Sequence, residues 1–329
     1  MVIYGVILVL LLIVELLYFY LADKFNIIDK PNQRSSHTKI TLRGGGVIFL
    51  CGVWLFVAFF GLHYPWFLLG LTMIALISFV DDVRSVPNKV RLVVQFASMF
   101  LTFYELGMLQ WNMWWAVLIA LIICVGATNV INFMDGINGI TVGYSLAVML
   151  PLALVNHITG FINPHFLYVV IASLLVFALF NFRDKGKAKC FAGDVGAISI
   201  AMIMLFCIGR LVMQTGDVTW LIFLLVYGVD GCCTICHRIL LHENLGEAHR
   251  KHAYQLMANE LKLSHPLVSG IYMAMQLAIS LGFIYLCPNT VVAHWTYLLS
   301  ALALLIIAYV LFKRKYYHLH EAYLAEQGA

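Results

Sequence analysis

Charge is scarce in this chain. Only 11% of its 329 residues are Asp, Glu, Lys or Arg, 63% are hydrophobic, and mean hydropathy is +0.92. A soluble globular domain runs near a quarter charged. A water-exposed globule is therefore excluded, and the bilayer is the relevant solvent. No cleavable leader is expected either: the first apolar run has no basic segment before it and no small-residue cleavage site, and it reads as a retained anchor. The eight Cys sit mostly inside apolar runs without the spacing of a secreted disulfide framework. They read as small core residues. The net charge of +4 is small, and no nucleic-acid partner is expected.

What is present is a series of apolar runs, eleven in all: 2–21, 44–61, 66–80, 93–107, 112–129, 140–156, 164–181, 195–213, 218–236, 267–287 and 295–312. A bilayer core takes about 20 apolar residues per helix. The expected fold is a single all-α polytopic membrane domain over 1–329, with eleven spans. Nineteen of the 20 Lys and Arg fall in alternate loops or in the tail after 312, and Arg210 lies near the far end of its span. By the positive-inside rule the N-terminus is outside and the C-terminus cytosolic. The segments 22–43, 81–92, 129–140, 182–194 and 237–266 then share the cytosolic face.

Four polar islands sit on that face, each where an apolar run ends. Asp81-Asp82 closes the third run; adjacent carboxylates at a membrane boundary need a cation near them. Arg84, Lys89 and Arg91 follow closely, so a solvated helix end is the plain alternative. Asn129 to Thr141 (NVINFMDGINGIT) holds Asn129, Asn132, Asp135 and Asn138 in one short stretch. Asn129 and Asn132, spaced i, i+3, share a helix face. The segment lacks Lys and Arg, so its polar groups would be half-buried without partners.

Phe191 to Gly196 (FAGDVG) precedes the eighth run. A Gly turn at a helix N-terminus offers free N–H groups to an anion, with Asp194 beside them for a metal and Phe191 as a flat face for a base. Asp194 as a simple N-cap is the alternative. His249-Arg250-Lys251-His252, in the loop 237–266, would put two imidazoles and a cation on one helical turn, suited to a diphosphate. Cys233-x-x-Cys236 with His249-x-x-His252 approaches a zinc-finger spacing, but the His pair is one residue short and the Cys pair falls inside a span. The Cys233-to-His237 haem-like spacing lies on the wrong side for attachment. The first loop holds Asp29, Pro31, Asn32, Arg34, His37 and Arg43-Gly-Gly-Gly46; a basic loop drawn to anionic lipid is its plain reading. Glu15 and Asp230 are acids within spans.

Together these motifs resemble the polyprenyl-phosphate N-acetylhexosamine-1-phosphate transferase family, the glycosyltransferase family 4-like enzymes. That family includes the peptidoglycan translocase that makes lipid I and the bacterial enzymes that start O-antigen and teichoic acid synthesis. The Asp-Asp pair, the Asn-x-x-Asn-x-x-Asp-Gly-x-Asn-Gly segment and the Gly-Asp turn stand in the family's order, over about residues 20–260. The resemblance implies that Asp194 and Asn132 hold Mg²⁺, with Mn²⁺ as a substitute. It implies that Phe191 stacks on uracil and Asn138 recognises it, with Asn129 and Gly193 also at the substrate. Arg91 would hold phosphate, and His249, Arg250 and His252 would grip the diphosphate and sugar. Asp81, Asp82 and Asp135 would serve the acceptor phosphate and order the site. Many bacterial members carry Asp at the position of Asn138, and the translocase carries Lys at that of Arg91. Arg91 therefore implies a phosphate clamp rather than proton transfer.

The expected reaction transfers a UDP-N-acetylhexosamine 1-phosphate to undecaprenyl phosphate, releasing UMP and starting a surface polysaccharide of O-antigen or capsule type. The expected place is the cytosolic side of a bacterial inner membrane, among membrane lipid; dimers are expected from some branches of the family. Direct attack by the acceptor phosphate and a phospho-Asp intermediate on Asp81 or Asp82 are both open. A lipid-linked substrate transporter or flippase is the rival reading. It would place polar groups near the bilayer midplane, whereas here they gather at span ends.

Overall fold

A computed structural model of the chain describes residues 2–29, 39–244 and 249–328. Pro31, Asn32, Arg34 and His37 of the first loop lie outside the described residues. Each of the eleven apolar runs is helical: α1 (Val2–Lys24), α2 (Val47–Phe60), α3 (Pro65–Val83), α4 (Asn88–Glu105), α5 (Trp114–Phe133), α6 (Ile140–Thr159), α7 (Pro164–Asn181), α8 (Gly193–Thr215), α9 (Leu225–Leu240), α11 (His265–Tyr285) and α12 (Val291–Gly328). The ninth run starts as a 3₁₀ segment, Val218–Leu224, before α9. A short helix, α10 (Ala253–Asn259), lies in the loop that follows. Two antiparallel residue pairs, β1 (Ile28–Asp29) with β2 (Thr41–Leu42), are the sheet among the described residues.

Nine of these helical stretches are long and apolar enough to cross a bilayer. The two others are α2 and α4. With 14 residues, α2 reaches about 21 Å at 1.5 Å per residue, short of a hydrocarbon core of about 30 Å. α4 carries Lys89, Arg91, Gln95 and Glu105 along its length. It lies against α3 and turns Gln95, Ser98 and Thr102 inward.

The core is built around α8, which packs against α2, α3, α5 and α6 and is buried for most of its length. Aromatic rings lock the layers, as in Phe67 on Phe206 and Tyr144 on Tyr227, with centroids 3.9 and 3.5 Å apart. On α1 and α12 large apolar side chains face outward, as a lipid-facing surface requires. The chain is thus a helical, multi-span membrane protein. The ends of α3, α5 and α9 and the starts of α2, α4, α6, α8 and α11 gather at one end of the bundle. This is the alternation that the Lys/Arg count implies.

Candidate active site

Glycine makes the central contact. Gly46, at the start of α2, packs directly on Gly196 in the first turn of α8; a Cβ on Gly46 would stand 2.2 Å from the Gly196 Cα. Backbone hydrogen bonds lace the same segments together: Gly45 N–H to the Phe191 carbonyl (2.9 Å), Gly46 N–H to Ala192 (3.1 Å) and Phe191 N–H to Leu42 (2.8 Å). From α1, the Tyr18 hydroxyl donates to the Arg43 carbonyl at 2.5 Å. These contacts aim the Arg43 side chain at the end of α3.

There Asp82, its carboxylate fully buried, accepts from three groups. The N–H groups of Asp194 and Val195 donate to it at 2.9 and 3.0 Å, and Arg43 Nε lies 2.7 Å away. A carboxylate of α3 therefore caps α8 in place of a residue of its own chain segment. The start of α8 was expected to offer free N–H groups to an anion; those of Asp194 and Val195 are already taken. Gly193 has φ +70°, and a Cβ there would meet Asp82 Oδ2 at 2.5 Å, so the glycine makes room for the cap.

Asp194 is not the N-cap; it projects into a ring of donors. Arg91 reaches its Oδ2 at 2.9 Å and Arg43 its Oδ1 at 3.6 Å, while the Asn132 amide donates to Oδ1 at 3.4 Å. Arg91 also holds Asp81 at 2.7 Å, and Asp81 Oδ1 accepts the Val86 N–H at 2.6 Å. Two guanidiniums thus lie among three carboxylates. Burial alone would lower the Arg43 pKa, but the charges of Asp82 and Asp194 outweigh it and the guanidinium is held more firmly protonated. Asp135, after α5, accepts from the Thr141 hydroxyl at 2.6 Å. Burial pushes it up to about 6 against that hydrogen bond, and the charge of Asp194 adds to the rise.

Other expected residues sit differently. Asn129 pairs reciprocally with Gln95 (2.8 and 3.3 Å) and holds α5 to α4. Asn138 is buried; its amide donates to the carbonyls of Arg183 and Asp184 at 3.0 and 2.9 Å, and its backbone bonds His265 and Ser269. In this arrangement it knits loop to helix, and no amide hydrogen is left for a base. Phe191 is half-buried, its backbone bonded to Leu42 and Gly45. His249 to His252 form no helical turn, since α10 begins only at Ala253. Arg250 pairs with Glu260 (3.5 Å) and lies over the Tyr323 ring, and Lys251 pairs with Glu243. Burial, helped by the charges of His252 and Arg238, takes His249 down to about 3. It is neutral near pH 7 and adds no charge to a diphosphate grip.

His252 is better placed. Its Nδ1 lies 3.3 Å from Asp230, and Nε2 has no partner among the described residues. Asp230, one of the intramembrane acids, also accepts from Tyr272 (2.5 Å), Thr234 (3.1 Å) and the Ala253 N–H (3.1 Å). It anchors α10 and orients the imidazole. Tyr254 of α10 donates to the Phe133 carbonyl at 3.3 Å, which sets this shelf against the Asn132 segment. The residue that sequence reasoning passed over is Arg43. Its signal was a cation directly before three glycines at a span start.

An acid–guanidinium centre thus stands at one end of a multi-span helical bundle. A family model described as glycosyl transferase family 4 matches residues 64–212, the stretch from α3 to α8 that supplies most of the centre. A Bacillus subtilis (strain 168) protein named "Probable undecaprenyl-phosphate N-acetylglucosaminyl 1-phosphate transferase" is 29% identical over 315 residues, 87% of this chain and 83% of that one. The "Undecaprenyl-phosphate alpha-N-acetylglucosaminyl 1-phosphate transferase" of Yersinia pestis is 26% identical over 54% of each chain. A "Phospho-N-acetylmuramoyl-pentapeptide-transferase" of Leuconostoc mesenteroides is 38% identical over 23% of each. Over residues 64–212 the chain is thus similar to glycosyl transferase family 4, in line with the resemblance its motifs carry.

Proposed function

We propose that this protein transfers the sugar 1-phosphate of a UDP-N-acetylhexosamine to undecaprenyl phosphate and releases UMP. The carrying observation is the Asp194 centre: one carboxylate ringed by Arg43, Arg91 and Asn132 where five helices meet at a membrane end. The names of the relatives point to the same reaction. In it an acceptor phosphate oxygen forms a bond to the β-phosphorus, and the bond from that phosphorus to the bridging oxygen breaks as UMP leaves. The acceptor monoester has a second pKa of about 6, so it is largely dianionic at neutral pH and needs no dedicated base.

Two anions must meet, and the protein's task is to neutralise and position them. Arg43 and Arg91 spend the resting state on carboxylates and can pass to phosphate oxygens when a substrate enters. Asp82 holds α8 and cannot also act as a nucleophile without uncapping it; this favours direct attack over a phospho-Asp route through Asp82. His252, oriented by Asp230, stands just before α10 with Nε2 unpartnered among the described residues and is assigned to the sugar diphosphate.

The donor set suits Mg²⁺. Among the described residues no group of three His, Cys, Asp or Glu is arranged around a metal. Asp194 with Asn132 offers one carboxylate and one amide, and Mg²⁺ commonly takes its other ligands from phosphates and water. Bound there, the ion would offset charge on the diphosphate. We further place the reaction on the cytosolic face of a bacterial inner membrane, at the first committed step of a surface polysaccharide. A panel of radiolabelled UDP-N-acetylhexosamines with undecaprenyl phosphate and Mg²⁺, read by UMP release, tests the proposal. Absence of UMP with every donor refutes it and leaves the transporter reading.

A further inference from the structure

The end of the bundle opposite the Asp194 centre holds a second polar cavity. It lies where α6 ends, α7 begins and α8 nears its C-terminus, and its volume is about 690 Å³, within the range of small-molecule sites. Arg210 lines it. This is the one Lys or Arg of 20 that falls outside the basic loops and tail of the opposite face. Its Nε donates to the Phe161 carbonyl at 3.3 Å, and its guanidinium stands 5.8 Å from the Tyr64 ring centroid. No Asp or Glu lines the cavity.

The acids at this end are occupied. Glu105 accepts the N–H groups of Trp66 and Phe67, at 2.8 and 3.4 Å, and Asp217 pairs with His294 at 2.5 Å. The Tyr64 hydroxyl accepts the Asn163 N–H at 2.9 Å, so its own proton points to another acceptor. His157 and His165 add imidazoles to the same wall. A guanidinium, a phenol proton and two imidazoles with no carboxylate between them match an oxyanion, and a guanidinium fork suits phosphate best. Tyr168 of α7, which lines the cavity, is exposed, and so are Leu154 and Ile158 near the end of α6. Apolar contact at a helix end suits the chains of a lipid whose headgroup enters the cavity.

We propose that this cavity binds a phosphate group on the membrane face opposite the catalytic centre. Asp194 and Arg210 stand on the same helix, sixteen residues apart in sequence. At 1.5 Å per residue that is about 24 Å, so a phosphate held by Arg210 does not touch the reacting groups. The phosphate belongs either to a lipid headgroup or to a free phosphate compound.

The two sources separate in one experiment, on the full chain. Native mass spectrometry counts phosphatidylglycerol and phosphatidylcholine molecules retained on protein ejected from mixed nanodiscs. A parallel titration in detergent uses inorganic phosphate. For wild type, one retained phosphatidylglycerol that is lost in Arg210→Gln supports a headgroup site. Inorganic phosphate binding weakened at least tenfold in Arg210→Gln supports a free-phosphate site. His157→Gln, at the exposed rim, weakens whichever ligand binds by a smaller factor and serves if Arg210→Gln does not fold. Equal retention across wild type and variants, with no phosphate bound to wild type, overturns the proposal. The readout is binding, so it stands apart from the transfer reaction proposed above.

Discussion

Asp82→Asn tests whether the α3 carboxylate holds α8 in place. The carboxylate serves three donors: the N–H groups of Asp194 and Val195 at 2.9 and 3.0 Å, and Arg43 Nε at 2.7 Å. An amide has one acceptor oxygen. Its NH₂ group would face either an N–H or the guanidinium, so at least one donor is left unmet. An orphaned buried N–H costs about 1–3 kcal/mol. Breaking a buried ion pair costs about 3–5 kcal/mol. That second figure is discounted here, because the Arg43 side chain is 33% exposed and keeps Asp194 at 3.6 Å. A total of roughly 3 kcal/mol follows, a factor of more than a hundred in the opening equilibrium of the α8 start at 1.4 kcal/mol per tenfold. For a multi-span protein the measurable quantity is a rate of thermal inactivation. The half-life of detergent-solubilised Asp82→Asn at a fixed temperature should fall steeply, with UMP release lost in parallel. A variant as long-lived as wild type but inactive would refute the cap and return Asp82 to the list of nucleophiles.

Asp194→Asn should keep the fold, because Asp194 caps nothing, while UMP release falls by orders of magnitude and excess Mg²⁺ restores little; near-normal Mg²⁺-dependent turnover would move the metal site elsewhere. Gly46→Ala places a Cβ 2.2 Å from a backbone atom of Gly196, and overpacking of this kind costs about 1–3 kcal/mol or more, so the inactivation temperature should drop. Asp135 has its pKa raised from 3.8 to about 6. Its protonated form is favoured by the fold, so that contribution is full below about pH 4 and gone above pH 6. Asp135→Asn should therefore gain stability relative to wild type as pH rises from about 4 to about 6 and keep that gain above it, and a pH-independent difference would contradict the burial. A single reporter Cys at exposed Asn244 should be labelled from one side of the membrane only and one at exposed Asn289 from the other; labelling of both from one side breaks the orientation drawn from Lys and Arg.

The helices were legible because a span must announce itself in local composition. The two weaker cases show where that rule thins: α2 is apolar but short, and α4 mixes charge into its run. The gathering of Asp81, Asp82, Arg91, Asn132 and Asp194 was also legible, because polar groups at successive span ends on one face have few other places to go. What escaped were pairings between segments far apart in sequence. Asn129 looked like a ligand until Gln95 of α4 appeared opposite it, and Asn138 until the carbonyls at 183 and 184 took its amide. His249-Arg250-Lys251-His252 looked like a helical turn, because spacing alone does not reveal that Asp230 starts the helix after it. Arg43 was hidden in a segment that read as a basic loop drawn to anionic lipid, and the glycines it precedes act as a close-packed joint.

The cap on α8 also has a history during synthesis. Asp82 precedes the N–H of Asp194 by 112 residues. At about 5–20 residues per second, roughly 6–22 seconds separate the emergence of the carboxylate from that of its partners. Through that interval the end of α3 has already been made, with Arg43 and Arg91 as its available counterions. The centre closes only when α8 enters the bundle and threads its first turn between α2 and α3. A chain stalled or cleaved before that point carries every earlier motif and no finished site. The ribosome can therefore release no active fragment from the first half of this protein.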